Sequence, residues 1–150
     1  MSDLLWINKH FTELNIKELY AIMKARSGVF VVEQNCPYND ADDKDQEAYH
    51  LCGLNTNDIA AYARILPPGL AFKEASIGRV LTVPAYRKQG AGKELMQVAI
   101  EETFKQYKVK DIRIGAQLYL HQFYVSLGFK QVSDQYLEDN IPHIEMLLSK

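Results

Sequence analysis

Apolar positions recur with two different periods along the chain. Ala75-Ser-Ile-Gly-Arg-Val-Leu-Thr-Val83 is rich in β-branched and apolar residues, the composition of a buried strand. Pro84 has no N–H to give the ladder and ends it. From Gly92 to Tyr107 the period lengthens. Leu95, Met96, Ala99, Ile100, Phe104 and Tyr107 share one helical face, and Lys93, Glu94, Gln97, Glu101, Lys105 and Gln106 the other. A first strand is expected over Leu4 to Ile7. Asn15 followed by Glu18 forms a capping box ahead of the stripe Ile16, Leu19, Tyr20 and Met23. That helix runs toward Arg26 and Phe30, with Gly28 and the run Val29 to Val32 blurring its end. Tyr49 to Leu54 and Ile59 to Leu66 read as strands about a turn at Asn55 to Asp58. Asp111 to Ala116 reads as a further strand. Leu120, Phe123, Tyr124 and Leu127 lie on one face of a short helix that Gly128 ends. Lys130 to Val132 and Ile144 to Leu148 suggest closing strands. Strands alternating with two helices after residue 75 predict at least one parallel pair.

The loop between the strand ending at Val83 and the helix that follows changes the picture. It reads Arg87-Lys-Gln-Gly-Ala-Gly-Lys93. A helix N-terminus has unsatisfied N–H groups and a partial positive charge, so it attracts anions. Gly90 and Gly92 let the backbone close on a ligand, and Arg87, Lys88 and Lys93 add charge. The loop suits a pyrophosphate. It is neither a Walker A loop nor the Gly-x-Gly-x-x-Gly dinucleotide fingerprint.

Composition sets outer bounds. At 150 residues the chain is expected to form one domain, 1–150. A net charge of −2 gives no support to a nucleic-acid partner. No long apolar run suggests a signal peptide or a membrane partner. Cys36 and Cys52 lack metal-ligand spacing and are expected as reduced thiols of a cytoplasmic protein. Between Asp40 and Glu47 five acids face one lysine. The positions do not fit an EF-hand. A solvated surface loop is the first expectation, and a lure for a cationic amine the second.

Three blocks carry a family resemblance. Arg87-Lys-Gln-Gly-Ala-Gly92 is similar to the Arg/Gln-x-x-Gly-x-Gly/Ala loop with which GNAT (Gcn5-related) acetyltransferases hold acetyl-CoA, and Val83-Pro-Ala-Tyr-Arg87 to its lead-in. Gln117-Leu-Tyr-Leu-His-Gln-Phe-Tyr-Val-Ser-Leu-Gly-Phe129 resembles that family's Asn-x-x-Ala-x-x-Phe-Tyr-x-x-x-Gly-Phe segment. Arg26-Ser-Gly-Val-Phe-Val-Val-Glu-Gln-Asn-Cys-Pro-Tyr38 looks like the ElaA-like branch, as do Gly115-Ala-Gln117 and Ile141-Pro-His143.

The resemblance implies an α/β (α+β) GNAT fold: a mixed, mostly antiparallel central sheet with helices on both faces, splayed between the strands ending near Val83 and Ala116. It also implies transfer of an acetyl group from acetyl-CoA to a primary amine by direct attack, without a metal. Arg87, Lys88, Gln89, Gly90, Ala91, Gly92 and Lys93 then hold the pyrophosphate. Leu81, Thr82 and Val83 offer backbone N–H groups to the pantetheine arm and the thioester carbonyl. Tyr124 matches the tyrosine that acts as general acid near the sulfur. A phenol of ordinary pKa, about 10, is protonated at neutral pH and can donate to a thiolate. Gln117 stands where the family has Asn, one methylene longer. No glutamate base is evident on the central strand, which offers Ser76 and Arg79, with Glu74 at its far start. Glu33 and His143 are the candidate bases, with His50 and His121 behind them. A silent acyl-CoA-binding module and an acyl-homoserine-lactone-synthase-like enzyme are the alternatives. The identity of the amine is open, as is a homodimer.

Overall fold

In the computed structural model, which describes residues 3–150, the described residues form eight strands and three α-helices. Strands β1 (Leu5–His10), β2 (Tyr49–Asn55), β3 (Asp58–Leu66) and β4 (Ser76–Thr82) form an antiparallel sheet in that order. A second antiparallel sheet centres on β8 (Ile141–Ser149). It pairs β5 (Asp111–Gln117) along one edge, and β6 (Lys130–Gln131) and β7 (Tyr136–Glu138) along the other. The sheets meet at one parallel bridge between Ala75 and Ile112, where the Arg113 N–H donates to the Ala75 carbonyl at 2.9 Å. Beyond it no further β4–β5 pairing occurs among the described residues, and the two strands part. This is the expected parallel pair and the expected splay.

The core lies on both faces of the first sheet, which is why β3 is buried almost throughout. Helix α2 (Ala91–Tyr107) covers one face, with Leu95, Met96 and Ala99 against Ala61, Ala63, Ile65 and Ile77. The buried stripe also includes Thr103, whose hydroxyl donates to the Ala99 carbonyl at 2.6 Å. Phe104 and Tyr107 sit half-buried at its edge. Helix α1 (Ile16–Arg26) covers the opposite face with Ile22 against Tyr62 and Leu81. Asn15 and Glu18 do form the capping box. After Arg26 the chain continues as a π-helix, Ser27–Glu33, where glycine and β-branched residues fit an α-helix poorly. Helix α3 (His121–Ser126) ends at Gly128 with φ 102°. Strand β7 was not expected. Asp139 and Asn140, with φ 50° and 62°, join it to β8 in a two-residue hairpin.

Strand β4 carries a bulge. Tyr62 pairs with Leu81 and Arg64 with Gly78, so two residues of β4 oppose one of β3, and Arg79 takes φ 50°.

The segment from Asp40 to Glu47 is not the solvated loop expected. Asp40 and Asp45 are buried. Arg26, wholly buried, donates through Nε to Asp40 at 2.8 Å and through Nη1 to Asp45 at 2.7 Å. Arg64 reaches Asp42 at 2.7 Å and Asp45 at 2.9 Å, and Arg79 reaches Asp40 at 2.8 Å. Asp40, Asp42 and Asp45 and the three guanidiniums therefore neutralise one another, and these three acids are no lure for a free amine; Asp43 and Glu47 stay exposed.

Candidate active site

The splay between β4 and β5 opens into a cavity of about 740 Å³. Its walls are the π-helix, β4, the loop before α2, the end of β5, α3 and the β7–β8 hairpin.

The β4 wall offers backbone. The Val83 N–H donates to the Ala60 carbonyl at 2.9 Å, on the β3 side. Val83 is thus no donor to a ligand, contrary to expectation. By the alternation of a strand, Thr82 turns its N–H and carbonyl to the other edge, toward the cavity. Arg87 Nε donates to that carbonyl at 2.9 Å. Leu81 packs its side chain in the core beneath α1, and both Leu81 and Thr82 line the cavity.

The next wall is the start of α2. Gly90, at φ 78°, is its N-cap, and no side chain caps the helix. The Glu94 N–H makes the first intrahelical bond, to the Gly90 carbonyl at 3.2 Å. The N–H groups of Ala91, Gly92 and Lys93 precede it and have no partner within the helix. Gly90 needs its glycine for φ. Gly92 does not, and a Cβ there would meet Thr82 Oγ1 at an ordinary 3.8 Å. Arg87, Lys88 and Gly92 line the cavity; Gln89, Gly90, Ala91 and Lys93 do not. The Gln89 amide turns back to the Ala85 carbonyl at 3.3 Å, and Ala91 is buried.

Tyr124 lies opposite, on α3, buried against Phe123 and Phe129 but lining the cavity. Its hydroxyl has no hydrogen-bond partner among the described residues. Burial pushes its pKa up to about 12, so it is a phenol at any physiological pH. Gln117 ends β5 at the cavity, in register with His143 of β8.

His143 is where the sequence placed it. It is buried, stacks on Tyr136 at 5.9 Å and lines the cavity. Its Nδ1 lies 2.7 Å from the Ile141 carbonyl. A carbonyl only accepts, so Nδ1 carries a proton and donates to it. Glu138 stands 3.4 Å from Nε2.

The other base candidates fare differently. Glu33 reaches the cavity, but both of its oxygens accept from Arg87, one of them from Nη2 at 2.7 Å. That hydrogen bonding holds its carboxyl below the usual range, which makes it a weak base. His50 does not approach the cavity. It is sealed in the core between the Tyr62 hydroxyl at 2.7 Å and the Asp45 carbonyl at 3.0 Å, and burial lowers its pKa. His121 opens α3 away from the cavity. Glu74 is bound by Arg113 at 3.0 Å. Sequence reasoning passed over Glu138 and Asp139, which the hairpin sets on the cavity rim. Asp139-Asn140 between apolar runs is the signal that would have found them.

A parted pair of parallel strand ends, with an uncapped helix N-terminus at one and a buried tyrosine beside the other, defines an acyl-CoA-type transferase architecture. The chain belongs to the GNAT acetyltransferase family: the profile of the Acetyltransferase (GNAT) domain matches residues 24–150. Within that family it is 41% identical to protein ElaA of Escherichia coli over 143 residues, 94% of each chain. The crystal structure of an acyl-CoA N-acyltransferase from Pseudomonas aeruginosa superposes with a TM-score of 0.94 at 38% identity, covering 98% of this chain and 100% of that one. A CoA-dependent acyl-homoserine lactone synthase superposes at 0.78 with 16% identity, covering 97% and 82%, a likeness of fold alone.

Proposed function

We propose that residues 1–150 act as one N-acyltransferase domain in the cytoplasm, moving an acetyl group from acetyl-CoA to a primary amine within a ternary complex. The observation that carries this is the meeting of three groups in one cavity: the Thr82 backbone edge, the uncapped start of α2 and the unpartnered Tyr124 hydroxyl. Those groups fit acyl-CoA. The first N–H groups of α2, with Arg87 and Lys88, hold the pyrophosphate. The Thr82 edge receives the pantetheine amides as a strand would, with Gln117 on the facing strand.

The donor supplies a thioester whose carbonyl carbon accepts the amine's lone pair. The chain's own groups do the rest. Backbone N–H groups on the free edge of β4 stabilise charge on the carbonyl oxygen. The Tyr124 hydroxyl gives its proton to the departing thiolate. His143 takes the proton from the amine at Nε2, and Glu138 stabilises the imidazolium.

The test is a panel of amines, amino acids and lysine peptides, with release of free CoA read by a thiol reagent. S-adenosylmethionine is included as an acceptor. Acetyl-CoA turnover with at least one primary amine is expected. Tight acetyl-CoA binding without turnover on any acceptor would leave a binding module instead.

A further inference from the structure

We propose that Glu33 is the residue that receives the incoming amine as its ammonium, and that Arg87 masks it until the pyrophosphate of acyl-CoA draws Arg87 away. This rests on the acyltransferase reading above.

The geometry is specific. Arg87 stands on the loop before α2, and Glu33 ends the π-helix on the facing wall of the cavity. Both Nη groups of Arg87 donate to the Glu33 carboxylate, a fork-to-fork pair, and Nε donates to the Thr82 carbonyl at 2.9 Å. Every nitrogen of the guanidinium is therefore in use, on the two surfaces the donor needs. A pyrophosphate at the α2 N-terminus requires the same Nη groups that Glu33 holds. An arm laid along β4 requires the same Thr82 edge that Nε covers. Donor and Glu33 cannot both have Arg87 in this way.

The pair is built to exchange. Its side chains are 38% and 40% exposed, unlike those of Arg26, Asp40 and Asp45. An exposed ion pair contributes little net stability and yields readily to a better partner. A diphosphate offers more charge and more acceptor oxygens than one carboxylate. Once released, Glu33 is an unpaired carboxylate on a cavity wall that also carries Phe30, with His143 in the same cavity. A glutamate carboxylate is ionised well below neutral pH, which suits it to hold an ammonium rather than to remove a proton. A free amine meeting the empty enzyme finds that carboxylate already paired, so amine binding follows donor binding.

Calorimetric titration of CoA into the parent, Glu33→Gln, Arg87→Gln and the double variant tests the exchange. Glu33→Gln should tighten CoA about two- to five-fold, the factor an exposed pair of this kind is worth. In the Arg87→Gln background the same change should do nothing. An equal gain in that background would mean simple repulsion between Glu33 and the polyanion, and would overturn the proposal, as would no gain in either. With an accepted amine at saturating acetyl-CoA, Glu33→Gln should raise the amine KM several-fold and leave kcat within about two-fold. An unchanged KM would remove Glu33 from amine recognition. A parent that binds no CoA would instead sink the acyltransferase reading itself.

Discussion

Arg26→Met tests whether the charge cluster under the cavity is a buried network. Arg26 is fully buried and gives three hydrogen bonds: to the Asp40 carboxylate at 2.8 Å, the Asp45 carboxylate at 2.7 Å and the Asp40 carbonyl at 3.0 Å. Methionine fills similar length without a donor. Asp40 would still accept from Arg79 at 2.8 Å and Asp45 from Arg64 at 2.9 Å, but three carboxylates would share two guanidiniums. Removing one partner of a buried pair costs about 3–5 kcal/mol, a large part of the ~5–15 kcal/mol that holds a domain together. At this length that is a fall in Tm on the order of 10 °C. Urea unfolding followed by circular dichroism should show a lower midpoint with an unchanged slope. Adding Asp45→Asn restores the balance of charge and should recover part of the loss.

The same network sets the acid limb. Burial alone would raise Asp42 and Asp45, but hydrogen bonds and charge from Arg64, with Arg79 at Asp42 and Arg26 at Asp45, outweigh it and hold both below their ordinary values. A carboxyl whose folded pKa lies below its unfolded one adds stability above the unfolded value, and that stability is lost as pH falls toward the folded one. The parent should therefore weaken steeply below about pH 4, and Arg26→Met should show a shallower acid limb. A cost under about 1 kcal/mol with an unchanged acid slope would refute the reasoning, because a hydrated cluster behaves that way.

Acetyl-CoA should raise the parent's Tm by mass action, by about 2.7 kcal/mol of stability at a hundredfold excess over Kd. Gly90→Val should shrink that shift, because φ 78° strains a β-branched residue at the N-cap; a full shift would remove the loop from donor binding. Tyr124→Phe keeps the ring against Phe123 and Phe129. CoA affinity should hold within a few-fold while kcat falls by roughly 10²-fold, the size of a general-acid contribution. The parent's kcat should show no loss from this phenol up to about pH 10, since burial pushes it up to about 12; retained turnover in the variant would make Tyr124 a packing residue.

What could be read in the sequence was local. The α2 stripe, the capping box at Asn15 and the β2–β3 hairpin each lie within one stretch of chain, where spacing alone carries the signal. The acidic segment was misjudged because its partners are distant in sequence: Arg26, Arg64 and Arg79 come from α1, β3 and β4. A run of acids looks solvated until the fold supplies the cations. His50 was misplaced for the same reason, since only the β2–β3 register brings Tyr62 to it. The splay itself is written in no residue. It was available only through the likeness of the two glycine-containing blocks to a known family.

The bulge at Arg79 ties these distant parts to the cavity. Ile77 packs under α2 and Leu81 under α1. In a regular strand, residues four apart share a face, so one extra residue has reversed the phase between them. Val80 confirms the shift, because it lies with Ile77 on the α2 side at an odd spacing. The reversal lets Leu81 fill the core under α1 while the Thr82 side chain turns to the start of α2, beside Gly92. Arginine is an unusual occupant of φ 50° and the conformation carries a cost. Its bonds to the Asp40 carboxylate at 2.8 Å and the Asp40 carbonyl at 3.1 Å offset that cost and fix the kink. Arg26 and Arg64 in turn hold the acidic segment in place for it. The buried charges therefore act on the cavity at one remove. Arg26 and Arg64 do not line the cavity, but they hold the strand irregularity that decides which backbone edge the cavity presents.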